Sequence, residues 1–237
     1  MSNRMARRAT ATALAQAATL AFASSPAIAA HLTQVGFLRV ETLTNVADVE
    51  LFASHALPAQ EREERVLFAG NLIRKKVDFL LLAELLRSLP ANACLVLAGP
   101  CTGDRTDRAA VSGLVHAGAI WLGALAPSDL ADLAGRCRVG IVPYLVNDHT
   151  LGVNPLKIYE YLAAGLQVVT TELPALESVT APGIHTASIE GFVGVVVGLM
   201  GADREGPGSH PAELAAHSWP VRLEWLRARV LQEIREA

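Results

Sequence analysis

Lys157 and Glu160 stand three residues apart in Asn154-Pro155-Leu156-Lys157-Ile158-Tyr159-Glu160. On a helix that spacing puts an ammonium and a carboxylate on one face. The pair serves either as an ordinary surface ion pair or as two polar arms aimed at a ligand. A second group, Gly70-Asn71-Leu72-Ile73-Arg74-Lys75-Lys76, joins a glycine that admits close backbone approach to a run of cations. It reads either as a solvated basic turn or as a loop in which Lys75 or Lys76 reaches a phosphate. Ala98-Gly99-Pro100 and Trp121-Leu122-Gly123 could wall a nucleobase slot, and the hydroxyls of Thr170 and Thr171 serve as ligands or as backbone caps.

Other chemistries lack their residues. The seven histidines form neither H-x-x-x-H nor H-E-x-x-H, so no metal site is expected. Cys94, Cys101 and Cys137 show no C-x-x-C spacing and read as reduced, buried thiols of a cytosolic protein. G-x-S-x-G, P-loop and G-x-G-x-x-G patterns are all absent, which removes the common hydrolase, NTPase and dinucleotide readings. A diphosphate held by helix ends and one lysine remains.

These residues need strand ends and helix starts to hold them. Short apolar runs alternate with amphipathic stretches, the pattern of a parallel sheet with helices on both faces. Strands are expected at Val66–Ala69, Cys94–Ala98, Ile120–Gly123, Val139–Pro143 and Gln167–Thr171. Helices are expected at Phe79–Leu89, Ala109–His116, Pro127–Ala134, Pro155–Ala164 and Leu223–Glu236, with Gly165 as a left-handed cap and a flexible loop over 200–212. The loop from Asn147 places Gly152 just before the Asn154-Pro155 helix start, whose free N–H groups and dipole suit an anion. Ligands of such sheets collect at the carboxyl ends of the strands.

The chain has 237 residues, 51% of them hydrophobic and 18% charged, with a net charge of −3. That composition excludes global disorder, and the near-neutral balance excludes a nucleic-acid footprint. Residues 1–30 carry Arg4, Arg7 and Arg8 before an apolar run ending in Ala27-Ile28-Ala29, the form of a secretory signal. The same stretch also fits a short strand at Thr19–Ala23 and a helix after Ser25-Pro26. Ala56–Glu64 is polar and charged and reads as a linker, dividing a head, 1–60, from a body, 61–237.

Asn154 to Val169 resembles the signature of the group 1, GT-B-fold glycosyltransferases, in the variant that begins Asn-Pro-Leu-Lys. The glycine loop with its downstream lysine, the Leu-Ala-Gly-Pro and Val-Pro-Tyr strand ends, and His217-Ser218-Trp219 before the last helix follow in the same order. The resemblance implies a Rossmann-like α/β donor-binding domain over 61–237. It also implies that 1–60 is the remnant of an acceptor-binding domain plus the linker. That reading replaces the export signal. The implied activity is sugar transfer from a UDP- or GDP-type nucleotide sugar to a glycan, lipid-linked sugar or small molecule. It proceeds without a metal or other cofactor and with retention at the anomeric carbon. The protein would be cytoplasmic, peripheral to a membrane or not, and able to act with a partner that supplies the acceptor domain.

Residue by residue, Glu160 corresponds to the second glutamate of the family's E-x7-E motif, which holds the donor ribose, and Lys76 to the lysine on the diphosphate. Asn71 stands where many members have arginine, and Gly152 where the first glutamate would be. Asn154 or Lys157 would then substitute, Lys76 and Lys157 supplying the charge that stabilises the leaving diphosphate. Gly70, Gly99, Trp121, Leu122, Val153 and Leu156 complete the expected donor contacts.

Overall fold

Six parallel strands form the central sheet of the computed structural model, which describes residues 2–176, 181–201 and 214–236. They are β3 (Arg65–Ala69), β4 (Cys94–Ala98), β5 (Ile120–Gly123), β6 (Val139–Val142), β7 (Gln167–Thr171) and β8 (Ile184–Ala187), in the spatial order β5-β4-β3-β6-β7-β8. From β3 the chain winds outward through β4 and β5, then crosses back to β6 and winds the other way. The reversal between β3 and β6 is a topological switch point, where helices diverge and leave a crevice above the strand ends.

The central strands are apolar because both faces are covered. Val66, Leu67, Leu95, Leu97, Val139, Ile141, Val168 and Val169 are all fully buried. Helix α4 (Phe79–Ser88) starts where the Asp78 carboxylate accepts the N–H groups of Leu80 and Leu81, and it turns Leu81, Leu82 and Leu85 inward. Helix α5 (Arg105–His116) begins four residues before the expected Ala109. Asp104 and Asp107 form a reciprocal capping box that converts the polar loop into a first helical turn. Helix α6 (Pro127–Arg136) carries its proline in the first turn, and α7 (Lys157–Ala163) stops ahead of Gly165 at φ +77°.

β8 and helix α8 (Ile189–Gly201) lie beyond the expected elements. Four glycines dilute the helical pattern of α8, yet Phe192, Val193, Val196 and Met200 give it a buried stripe packed on α4 and β7. The flexible loop expected over 200–212 overlaps the end of α8, and its remainder, 202–212, lies outside the described residues.

The head is helix α1 (Ser2–Ala17), then β1 (Ala21–Ala23), α2 (Pro26–Val35) and β2 (Val40–Thr42). β1 and β2 pair in parallel, Phe22 opposite Glu41, and Ser25 caps α2 by accepting the Ile28 N–H. The strand and helix expected there are present, and the apolar run from Ala11 is broken between α1 and β1. Helix α3 (Val49–Ser54) packs on α6 and α7, and the C-terminal helix α9 (Trp219–Glu236) lies against the head, with the Trp225 ring edge-on to Phe22 at 6.0 Å.

The expected linker is pinned. Its Arg62 is buried and donates to the carbonyls of Leu57 (3.0 Å), Ala164 (3.0 Å) and Gly165. The Glu63 N–H donates to Arg136 O at 2.8 Å. Those bonds tie the segment to the ends of α6 and α7.

Candidate functional site

β3, β4 and β5 run out side by side at the switch point, and their backbones stay bonded past the strand ends. The Gly70 N–H donates to Ala98 O (2.8 Å), the Gly99 N–H to Gly123 O (2.6 Å) and the Leu72 N–H to Pro100 O (2.9 Å). Gly99 has φ +139°, and a Cβ there would be driven into the carbonyl oxygen of Gly70. Glycine is therefore required at 99 for two independent reasons, backbone angle and space.

Above this crossing lies a cleft of about 230 Å³, lined among others by Gly70, Asn71, Gly99, Leu125, Leu130 and Lys157. The Trp121 indole N–H donates to the carbonyl of Gly99, a lining residue, at 3.0 Å, and the ring keeps 42% exposure. Leu122 is equally exposed on edge strand β5. Asn71 is tied to the floor: its amide donates to Thr102 Oγ1 (2.6 Å) and accepts the Thr102 N–H (3.2 Å).

Lys76 takes a different position from the one expected. It does not line the cleft. Its ammonium lies over the Tyr144 ring, 4.4 Å from the centroid, and burial lowers its pKa from the ordinary lysine value. Its carbonyl accepts the Leu145 N–H, while Lys75 O accepts from Asn147 Nδ2. The basic loop and the loop from Asn147 thus brace each other. Thr170 and Thr171 donate to the carbonyls of Thr171 (3.0 Å) and Tyr144 (2.7 Å), which makes both hydroxyls structural.

The approach to α7 also departs from expectation. Asn154 precedes a proline and so avoids the helical region, and the first turn is closed by tighter bonds, Ile158 N–H to Pro155 O and Tyr159 N–H to Leu156 O. The helix accordingly opens at Lys157, with Leu156 at its cap position and no side-chain cap. Asn154 is 5% exposed; its carbonyl accepts from Asn45 Nδ2 (2.7 Å), and its own Oδ1 is buried without a hydrogen-bond partner. Lys76 and Asn154 are not among the residues lining this cleft, whereas Lys157 is.

Val153 packs on the core, and its N–H donates to Thr150 O. Gly152 faces away from the sheet toward the head. A Cβ on it would stand 3.2 Å from Ile28 Cγ1 and 3.3 Å from Ser25 Oγ, which leaves little room for the glutamate of the family motif.

Lys157 and Glu160 form the ion pair that their spacing allows, but it is not a surface pair. Their side chains are 23% and 10% exposed. Burial raises the Glu160 pKa, Lys157 opposes that shift, and Asp48 on the neighbouring loop adds to it. One residue further on, the Tyr161 hydroxyl accepts the Ala69 N–H at 2.6 Å, tying α7 to the end of β3. The ring also fills the space left by Gly140 on β6. Tyr159 stacks on His217 at 4.1 Å. Sequence reasoning missed Tyr161 and Ser25 as parts of the site, because each acts through a contact distant in the chain. Among the described residues no group of three His, Cys, Asp or Glu is placed to hold a metal, and no helix is long and apolar enough to cross a membrane.

A parallel sheet with a cleft over glycine-crossed strand ends at its switch point defines a Rossmann-like α/β domain. The profile of the family described as Glycosyl transferases group 1 matches residues 63–200, more than half of the chain. This chain belongs to that family. It is 29% identical over 153 residues to TuaH of Bacillus subtilis (strain 168), whose name assigns it provisionally to teichuronic acid biosynthesis as a glycosyltransferase. That match covers 62% of this chain and 38% of TuaH.

Among solved structures, sucrose-phosphate synthase of Thermosynechococcus elongatus superposes with a TM-score of 0.75 at 20% identity, covering 98% of this chain and 63% of that one. Anabaena Alr3699/HepE, solved with UDP and glucose, gives 0.68 at 17% identity, covering 95% and 66%. The chain therefore spans less than two thirds of the length of these relatives.

Proposed function

We propose that residues 61–237 bind a nucleotide-diphosphate sugar of the UDP or GDP type, and that the protein transfers its sugar to an acceptor. The observation that carries this reading is the cleft itself. Three strand ends cross through Gly70 and Gly99, the Trp121 indole is bonded to Gly99 beside the cleft, and Lys157, paired with Glu160, brings a cation to a lining otherwise uncharged. The structure of Alr3699/HepE with UDP and glucose supports it by analogy of fold.

In this proposal the base lies near Gly99 and Trp121, Glu160 accepts from the ribose hydroxyls, and the diphosphate draws on Lys157. A fixed cation beside the β-phosphate stabilises the leaving diphosphate, the role a metal plays elsewhere, so transfer proceeds metal-free and, as the resemblance implies, with retention. The sugar points toward Gly152 and the head, where the acceptor enters.

Calorimetric titration of the native chain with UDP, GDP and their sugars tests the reading. Binding of at least one is expected, and failure of all four would sink it. Glu160→Ala should weaken nucleotide binding by about 1–3 kcal/mol, the worth of a charged acceptor to two hydroxyls. Gly99→Ala should abolish binding, because the crossing beneath the cleft cannot close.

A further inference from the structure

Lys157 is the one charged side chain lining the cleft among the described residues, and Glu160 already has a claim on it. Its ammonium is held by Glu160, one turn along α7. The other candidates are otherwise engaged: Lys76 lies over Tyr144 away from the cleft, and Asn71, which lines it, is bonded to Thr102. A diphosphate entering alone meets a cation that is already paired and a carboxylate that repels it. A ribose entering with it changes the balance, since two hydroxyls can replace the ammonium as donors to the carboxylate.

We infer that Lys157 is exchanged between two partners: Glu160 holds it while the cleft is empty, and the ribose of the donor, by occupying Glu160, releases it to the diphosphate. This rests on the reading of the cleft as a nucleotide-sugar site and deepens it. Recognition of the ribose then becomes the condition for diphosphate binding, so that free pyrophosphate and non-nucleoside phosphates are poor ligands. Lys157 is a diphosphate-binding residue that Glu160 positions.

Titration of the native chain and its variants with uridine, UDP, guanosine, GDP and inorganic pyrophosphate tests the exchange, with melting curves to confirm folding. The native chain should prefer the nucleoside diphosphate over its nucleoside by ~30-fold and bind pyrophosphate weakly, as one charge-assisted contact predicts. Lys157→Met should reduce that preference to under ~3-fold while leaving nucleoside affinity equal or higher, because Glu160 is freed. Glu160→Gln should bind pyrophosphate about tenfold more tightly than the native chain, and that gain should vanish in the Lys157→Met, Glu160→Gln double variant.

Three results would overturn the exchange alone. One is an equal loss of nucleoside and nucleotide in Lys157→Met, which makes the lysine a strut for Glu160. The second is an unchanged pyrophosphate affinity in Glu160→Gln. The third is a gain that persists in the double variant, which traces it to lost repulsion. Absence of binding of every nucleotide to the native chain overturns the donor-site reading and the exchange with it.

Discussion

The body and the head are built from the same strand–helix–strand unit but are held by different forces. In the body, β3, β4, β6 and β7 bury nearly all their side chains, and Phe68, Leu82 and Phe192 are essentially inaccessible. In the head, α2 buries no residue, and β1 and β2 are three residues each. Its attachment to α9 includes two ion pairs, Arg39 to Glu233 at 2.7 Å and Arg229 to Glu41 at 2.6 Å, and a hydrogen bond from Arg222 to the Thr44 hydroxyl at 3.1 Å. Arg229 Nη1 and Glu233 Oε2 also stand 3.0 Å apart, without hydrogen-bond geometry. Apolar burial makes the body indifferent to salt, whereas charge pairs at a partly wet seam are screened by it. The chain thus combines a densely packed sheet with a head whose ionic seam is expected to loosen in salt.

The contrast can be broken at either end. Phe68→Ala should cost about 3–5 kcal/mol and lower the denaturant midpoint of the whole molecule, since it empties the middle of the sheet. Tyr161→Phe should cost about 1–3 kcal/mol by leaving the Ala69 N–H buried and unpaired. A smaller cost in equilibrium unfolding would show that the ring alone holds α7 to β3. Arg229→Met should act on one side only: amide exchange in α9, β1 and β2 accelerates by about tenfold or more while β4 and β6 keep their protection. Raising NaCl to about 1 M should move the native chain the same way. Equal acceleration in β4 would show that head and body unfold as one unit.

The smallest effect concerns Glu160. Its folded pKa lies above the ordinary glutamate value because burial disfavours the carboxylate. Its contribution to stability is therefore fully present below the ordinary value and is lost as pH rises through the raised one. Glu160→Gln should raise the melting temperature of the unliganded chain at about pH 8 and lose that advantage near pH 4, where the native glutamate is itself neutral.

The body was legible where short apolar or β-branched runs are bounded by polar residues, glycine or proline. Cys94–Ala98, Ile120–Gly123 and Gln167–Thr171 have the bounds that their residues suggest. α8 was not legible: glycines and β-branched residues weaken its helical pattern, and only packing on α4 and β7 selects the helix. The cleft was legible as a set of glycines and a Lys/Glu pair at helical spacing. Both Lys76 and Lys157 were legible as candidate cations, but the placement of Lys76 over Tyr144 was not, since that contact lies 68 positions away in the chain. The resting place of Gly152 against Ser25 and Ile28 likewise belongs to the meeting of head and body.

The junction between β3 and β6 also sets a timetable. β3 finds β4 across one helix, but its other neighbour, β6, arrives only after β4, β5 and three helices have been made, and the register joins just Val66 to Val139 and Leu67 to Gly140. Closing so long a loop is slow, so β3-β4-β5 and β6-β7-β8 are expected to form as separate kinetic units that zip together last. The Tyr161 hydroxyl on Ala69 N–H is made in that final step. A refolding chain would then acquire protected amides on both halves before it acquires a cleft, and ligand binding would mark the end of folding.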